Sequence, residues 1–252
     1  MEVFQDYAYY YNAFYRDKDY GAEAADIDRL LKRYGQKIKD IINFGCGTGR
    51  HDIELSKMGY QCTGIDISPL MIDIAEKNST RYGCPAEFEV ADIRNYHPRT
   101  AYDAVISLFH VMSYQKNNDD ILAAFASARK ALKAGGVFVF DTWYGPGVLS
   151  DKPSVKVKES EDENNRLIRI ARPIMRDKYN VVDVCYEVFI IEKETGKTKV
   201  INEVHNMRYF FRPEIEFLLK ETGFALVGHL DCKTLKETSY NSWTSYFIAN
   251  AI

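Results

Sequence analysis

Three alternating glycines, two strand-end carboxylates and a histidine are the residues of this chain whose types and spacing could do chemistry. The apolar run Ile41-Ile42-Asn43-Phe44 leads into Gly45-Cys46-Gly47-Thr48-Gly49, and a second run closes on Asp66 in Gly64-Ile65-Asp66-Ile67-Ser68. Glycines let main chain approach a ligand, and a carboxylate at the next strand end accepts two ribose hydroxyls. The pairing predicts a nucleoside held at the top of a parallel sheet. Asp92, in Glu89-Val90-Ala91-Asp92-Ile93, follows a third strand-like run and is placed to accept from an adenine amino group. Ile67, Ile93 and Met71 are candidates to sandwich the base, with Gly45, Cys46 and Gly47 as the loop contacts.

The details favour S-adenosylmethionine over a dinucleotide. A dinucleotide pattern wants a glycine one place after Gly49, so that a helix N-terminus meets a pyrophosphate; that place is Arg50. S-adenosylmethionine carries no phosphate and needs no such approach. A fourth apolar run, Tyr102 to Leu108, supplies Ser107 at its end and puts His110 two residues beyond it. Imidazole changes protonation near neutrality, so His110 is the candidate general base. Asp141, at the end of a fifth run, is the alternative base, and Trp143 and Tyr144 follow it to the same edge.

The elements that must position these groups are legible around them. Strands are expected at 40–44, 61–66, 86–90, 102–108 and 137–141, with helices at 22–34, 50–58, 69–82 and 118–132 between them. Ser68-Pro69 reads as an N-cap followed by proline in the first turn, and Gly83 as the stop. Such alternation predicts a Rossmann-like α/β fold, a mostly parallel sheet with helices on both faces. The rhythm changes after residue 145. Strand-like runs at 153–160, 166–176, 181–193 and 198–211 predict an antiparallel meander, with Val182, Val184, Tyr186, Val188 and Ile190 on one face. A helix opening at Pro213 and strands at 224–230 and 243–250 complete the parent sheet. Residues 1–145 and 212–252 are thus expected to form one domain, with 146–211 inserted on the acceptor side.

The chain has 252 residues, 46% of them hydrophobic, and a net charge of −3. That balance gives no reason to expect a polyanion partner. Five scattered cysteines without zinc-site spacing read as reduced thiols. No apolar run approaches the ~20 residues that span a bilayer, and the N-terminus lacks a signal pattern, so a cytoplasmic location is expected. No metal site is evident. Ser107-Leu108-Phe109-His110 also stands where amino methyltransferases of nucleic-acid bases carry an Asp/Asn-Pro-Pro-aromatic motif.

On the glycine loop, Asp66, Asp92, the fourth run and Leu132-Lys133-Ala134-Gly135-Gly136, the chain resembles the class I S-adenosylmethionine-dependent methyltransferases along nearly its whole length. The resemblance implies a seven-stranded sheet with an antiparallel last strand. The tyrosine-rich start, with six tyrosines in the first twenty residues, and the meander resemble the branch that methylates nucleotide-linked sugars, amino sugars among them. By that likeness Tyr11, Tyr15 and Tyr20 close over the cofactor and touch the acceptor; Trp143 and Tyr144 after the fifth run and Arg208 in the meander are acceptor candidates by their position, and the meander offers a homodimer surface only by analogy. His205 and Arg208 both lie in the meander as candidates to meet a sugar or diphosphate, with surface placement expected for the two alike. Two positions depart from the family. Asn43 stands where the family has Asp or Glu, and Ser113-Tyr114 where the amino-sugar enzymes have Gly-His. The expected reaction is methylation of a hydroxyl on a nucleotide-linked sugar, with N-methylation of an amino sugar or small amine as the alternative. A non-catalytic cofactor-binding module and an NAD-dependent oxidoreductase are the readings from other classes.

Overall fold

The alternation of strand and helix signals up to residue 144 is realised as a parallel sheet. The computed structural model describes residues 8–252, and Tyr7 of the tyrosine-rich start lies outside them. In chain order the first half comprises α1 (Ala8–Phe14), α2 (Tyr20–Tyr34), β1 (Asp40–Phe44), α3 (Arg50–Lys57), β2 (Gln61–Asp66), α4 (Pro69–Tyr82), β3 (Glu87–Val90), β4 (Tyr102–Ser107), α5 (Asn118–Ala131) and β5 (Leu132–Tyr144). There follow α6 (Gly145–Ser150), β6 (Lys156–Glu161), β7 (Asn165–Arg176), β8 (Val181–Glu192), β9 (Thr198–Phe210), α7 (Arg212–Glu221), β10 (Phe224–Asp231) and β11 (Thr244–Ala251).

Local chemistry sets the helix ends. The Ser68 hydroxyl accepts from Met71 N at 3.3 Å, and Gly83 ends α4 in the left-handed region at φ +63°. Asn117 caps α5 by accepting from Asp120 N at 2.8 Å. The parent sheet runs β3-β2-β1-β4-β5-β11-β10, with β11 antiparallel to both its neighbours. Ile42, Phe44, Val105, Phe138, Phe140 and Phe247 pack under α5 and α7 on one face; Ile41, Ala104, Ile106, Val139 and Ile248 pack under α2 and α3 on the other. Strands covered on both faces have to be apolar throughout, which is why they read as continuous runs.

The meander is built as its alternation requires. Val182, Val184, Val188 and Ile190 are buried, and β6 to β9 pair antiparallel. It joins the parent sheet where Trp143 and Tyr144 of β5 pair in parallel with Tyr209 and Phe210 of β9. Three elements differ from expectation. β5 begins at Leu132 rather than 137, because Leu132 pairs with Tyr102 across a register shift that absorbs Lys133-Ala134-Gly135-Gly136 into the ladder. The helix α6 was masked in the sequence by its Gly-Pro-Gly opening. It forms because Val148 is buried against Val182, Val184, Met207 and Tyr209. The N-terminal helix α1 likewise follows from tertiary packing, with Phe14 buried against Leu167, Val188, Ile190 and Ile201 of the meander.

One histidine in this frame makes stability depend on pH. His229 of β10 stacks on Phe247 at 4.2 Å and bonds to Ser245 Oγ at 3.0 Å. Burial, with a smaller contribution from Arg212, pushes its imidazole down from 6.5 to about 4. The unfolded chain takes up this proton near 6.5 and the folded chain only near 4. The folded state therefore loses stability as pH falls between those values, by up to about 3 kcal/mol. Urea unfolding of the wild type and His229→Gln should show a gap that closes over that window; pH-independent spacing of the two curves would contradict it.

Candidate active site

The carboxyl ends of β1, β2, β4 and β5 open into a cleft of about 1160 Å³, roofed by α1 and walled on its far side by β7 to β9. Sites for one drug-sized ligand occupy about 300–1000 Å³, so this cleft has room for two ligands.

Its near end is the glycine loop. To leave β1 and start α3 the chain turns with Gly45, Gly47 and Gly49 at φ +78°, +55° and +71°, values that side chains rarely tolerate. A Cβ on Gly45 would lie 2.5 Å from the Val111 side chain, and one on Gly49 2.6 Å from the Phe88 ring. At Gly47 nothing lies within 4 Å, so this turn faces open cleft. Gly45 N and Cys46 N donate to Ile65 O at 2.8 and 2.9 Å, tying the loop to β2. Asp66 then fixes the arrangement: Gly47 N donates to its Oδ2 and Ser68 N to its Oδ1, each at 2.9 Å. Burial pushes the Asp66 carboxyl above its ordinary range despite opposing backbone hydrogen bonds from Ser68, Gly47 and Ile67. Further donors, such as paired ribose hydroxyls, would relieve that cost.

Ile67, Met71 and Ile93 line the cleft beside this carboxylate, Ile67 largely exposed and the other two buried. Asp92 lines it too, but its oxygens are engaged. Arg94 Nε lies 3.0 Å from each, and Arg94 Nη1 continues to Asp120 at 3.2 Å. Burial pushes the Asp92 carboxyl up, but the Arg94 hydrogen bonds outweigh it and hold the group below its ordinary range. An adenine amino group would meet a carboxylate already shared. Asp92→Ala is therefore expected to weaken S-adenosylhomocysteine binding by less than about tenfold, roughly one ordinary hydrogen bond. Calorimetry showing a larger loss would mean that Arg94 yields the carboxylate to the ligand.

At the middle of the cleft, Phe109 and His110 are consecutive left-handed residues at φ +64° and +67°. Such backbone in non-glycine residues is costly and persists where the surroundings impose it. Asp141 imposes it here. Its Oδ1 accepts from His110 N at 2.9 Å, and its Oδ2 lies 2.7 Å from His110 Nδ1. The two groups read from the sequence as rival bases lie side by side, the carboxylate buried and bonded to the His110 backbone N–H, with the ring 2.7 Å away. Tyr11, Tyr15, Tyr20 and Trp143 also line the cleft. Tyr15 packs edge-on to Phe109 at 5.1 Å, and Tyr20 edge-on to His51 at 5.0 Å.

Three expected site residues do not line it. Ser107 is fully buried and donates to Phe44 O at 2.8 Å, so it pins β4 to β1. Tyr144 turns to the parent sheet, edge-on to His229 at 4.9 Å. Arg208 is buried; it donates to Glu214 and to Asn118 Oδ1 and lies 4.8 Å over Phe210, which ties β9 to α7 and to the start of α5. Conversely, other groups of the cleft are held more firmly than the sequence indicated. His205 is buried, not on the surface; its Nδ1 is 2.8 Å from Tyr114 Oη and its Nε2 3.1 Å from Glu203 Oε2. Its alternation with Ile201, Glu203, Met207 and Tyr209, all buried, is the signal that could have found it. His51 bonds to Glu23 at 2.6 Å, and Asn43 to Asp52 at 2.9 Å. Among the described residues no cluster of His, Cys, Asp and Glu could hold a metal ion, and no helix is long and apolar enough to cross a membrane.

Residues 41–136, the stretch from β1 to the start of β5, match a family described as a methyltransferase domain. The chain is an S-adenosylmethionine-dependent methyltransferase. It is 27% identical over 221 residues to the dTDP-3-amino-3,4,6-trideoxy-alpha-D-glucopyranose N,N-dimethyltransferase of Streptomyces venezuelae, covering 86% of this chain and 90% of that one. Its fold matches the sugar N-methyltransferase KedS8 from Streptoalloteichus with a TM-score of 0.82, 22% identity and coverage of 100% and 96%. It also matches the S-adenosylmethionine-bound amino pentose methyltransferase CalS10 from Micromonospora echinaspora, with a TM-score of 0.76, 20% identity and coverage of 100% and 99%. The glycine loop, open at Gly47 and backed by the buried Asp66, fits this cofactor. Bound there, S-adenosylmethionine supplies an electrophilic methyl carbon.

Proposed function

We propose that the methyl acceptor is the amino group of a nucleotide-linked amino sugar. The likeness to the Streptomyces venezuelae dimethyltransferase over 86% of the chain carries this reading. It favours the amine over the hydroxyl expected first from the sequence. The cleft is consistent with it. Beyond Asp66 and His110 it continues to a wall formed by Arg169, Tyr186, His205 and Asn206 of the meander. Residues 146–211 are read on this basis as the acceptor side of the site.

The chemistry asked of the protein is modest. A neutral amine has a free lone pair, so holding it about 3 Å from the methyl carbon, in line, supplies roughly 7–11 kcal/mol of the barrier. Tyr11, Tyr15 and Phe109, packed on one another along the cleft, are the groups that would shield that line from water. His110, with the Asp141 carboxylate beside its ring, accepts the proton that an incoming ammonium must lose.

Incubation with dTDP-sugars that differ only in carrying an amino or a hydroxyl group, read by mass spectrometry, tests the reading. Methyl gain on the amino sugar alone is expected. Gain on the hydroxyl sugar, alone or equally with the amino sugar, would overturn it.

A further inference from the structure

Behind the glycine loop lies a buried amide–carboxylate pair that the nucleoside grip does not use. Asn43 ends the cleft-facing part of β1, and Asp52 belongs to the first turns of α3; both are 1% exposed. Asn43 Nδ2 donates to Asp52 Oδ2 at 2.9 Å. That single bond fixes which way the amide points, with its nitrogen to Asp52 and its oxygen free for another donor. Among the described residues, Asn43 Oδ1 and Asp52 Oδ1 are both buried with no hydrogen-bond partner. Leaving such acceptors unmet costs about 1–3 kcal/mol each, so two adjacent ones call for a missing donor. Asn43 lines the cleft, beside Gly45 and Cys46.

We propose that Asn43 Oδ1 accepts from the ammonium of the cofactor's amino-acid end, and that Asp52 is the positioning residue that orients this amide and supplies the negative charge behind it. Asn43 itself is uncharged, and the carboxylate bonded to it, that of Asp52, stands one layer further from the cleft on α3. Burial pushes the Asp52 carboxyl up from 3.8 to about 7, with only the Asn43 amide and its own backbone opposing. The titratable groups beside it are the Cys46 and Cys62 thiols, both pushed up by burial and so neutral. An arriving ammonium is therefore the cation this carboxylate lacks.

Two ligands separate a charge role from a structural one. S-Adenosylhomocysteine keeps the ammonium; 5′-methylthioadenosine keeps the nucleoside and loses the amino-acid end. By calorimetry, Asp52→Asn should bind the first about tenfold more weakly and the second as the wild type does, the difference between a charge-assisted and a neutral hydrogen bond. The exchange Asn43→Asp with Asp52→Asn keeps the shape and the hydrogen bond with its donor reversed. It should bring binding of S-adenosylhomocysteine back to within about threefold of the wild type, since the carboxylate now faces the ammonium directly. Unchanged affinity in Asp52→Asn would overturn the proposal. So would equal losses for both ligands, and so would an exchange variant that melts like the wild type yet binds no better than Asp52→Asn.

Discussion

Asp66→Ala is expected to abolish measurable cofactor binding at micromolar concentrations while leaving the protein folded. The carboxylate accepts from Gly47 N and Ser68 N at 2.9 Å, so it sets both the loop and the start of α4. Its remaining acceptor capacity is what a ribose diol would use. Two hydrogen bonds to a charged acceptor are worth about 1.5–3 kcal/mol each, which puts the loss at roughly 10²-fold or more. The fold should not suffer in proportion. Burial holds the carboxyl above its ordinary range, so the ionised group costs the ligand-free protein stability. The sign follows: a raised acid binds its proton more tightly folded than unfolded, and its unfavourable contribution grows as pH rises past the unfolded value. The melting temperature of ligand-free Asp66→Ala should thus move little. The shift produced by S-adenosylhomocysteine in the wild type should vanish. A variant that still shows that shift would remove Asp66 from the grip, and the nucleoside would have to be held elsewhere in the cleft.

How far this site could be read in advance depended on whether its parts were local. Asp66 and the glycine loop announce themselves because each sits at the end of an apolar run, and a parallel sheet brings successive strand ends to one edge. The same logic placed Asp92 and His110 on the cleft. It could not show that Arg94, two residues on, closes over Asp92, because a side chain's choice of partner is not a pattern. Nor could it show that His110 and Asp141 meet. They are 31 residues apart in sequence and are joined by the register of β4 against β5.

The meander was harder. Its strands were clear from alternation, but which face closes the cleft depends on how β9 docks on the end of β5. Near that junction both faces are covered, and Met207, Arg208, Tyr209 and Phe210 are all buried. Arg208 looked available for an acceptor, yet its guanidinium is engaged by Glu214 at the start of α7. His205, on the face shared with Ile201 and Met207, looked peripheral and is buried beside Tyr114. Asp52 was hidden for another reason. An acid in the first turn of a helix is ordinarily explained by the helix dipole, and only the contact with Asn43 gives it another role.

His110→Asn is expected to lower turnover by about 10²–10⁴-fold near neutral pH, the usual worth of a positioned base. Asparagine is the informative replacement because residue 110 lies at φ +67°, a conformation that asparagine tolerates better than alanine. The backbone N–H can then keep its bond to Asp141 Oδ1, so a fall in activity reports the ring and not a collapsed turn. Affinity for S-adenosylhomocysteine should stay within about threefold, since the loop and Asp66 grip are untouched. The pH dependence then distinguishes the acceptors. An amine reaches solution as an ammonium and must lose a proton before its nitrogen can attack. At higher pH the solvent removes that proton without help, so the deficit of His110→Asn should narrow as pH rises toward the amine's own pKa. A hydroxyl gains nothing comparable over the same range, and its deficit would stay constant. Full activity in the variant would assign the proton to another group in the cleft, and a pH-independent deficit would return the hydroxyl sugar as acceptor.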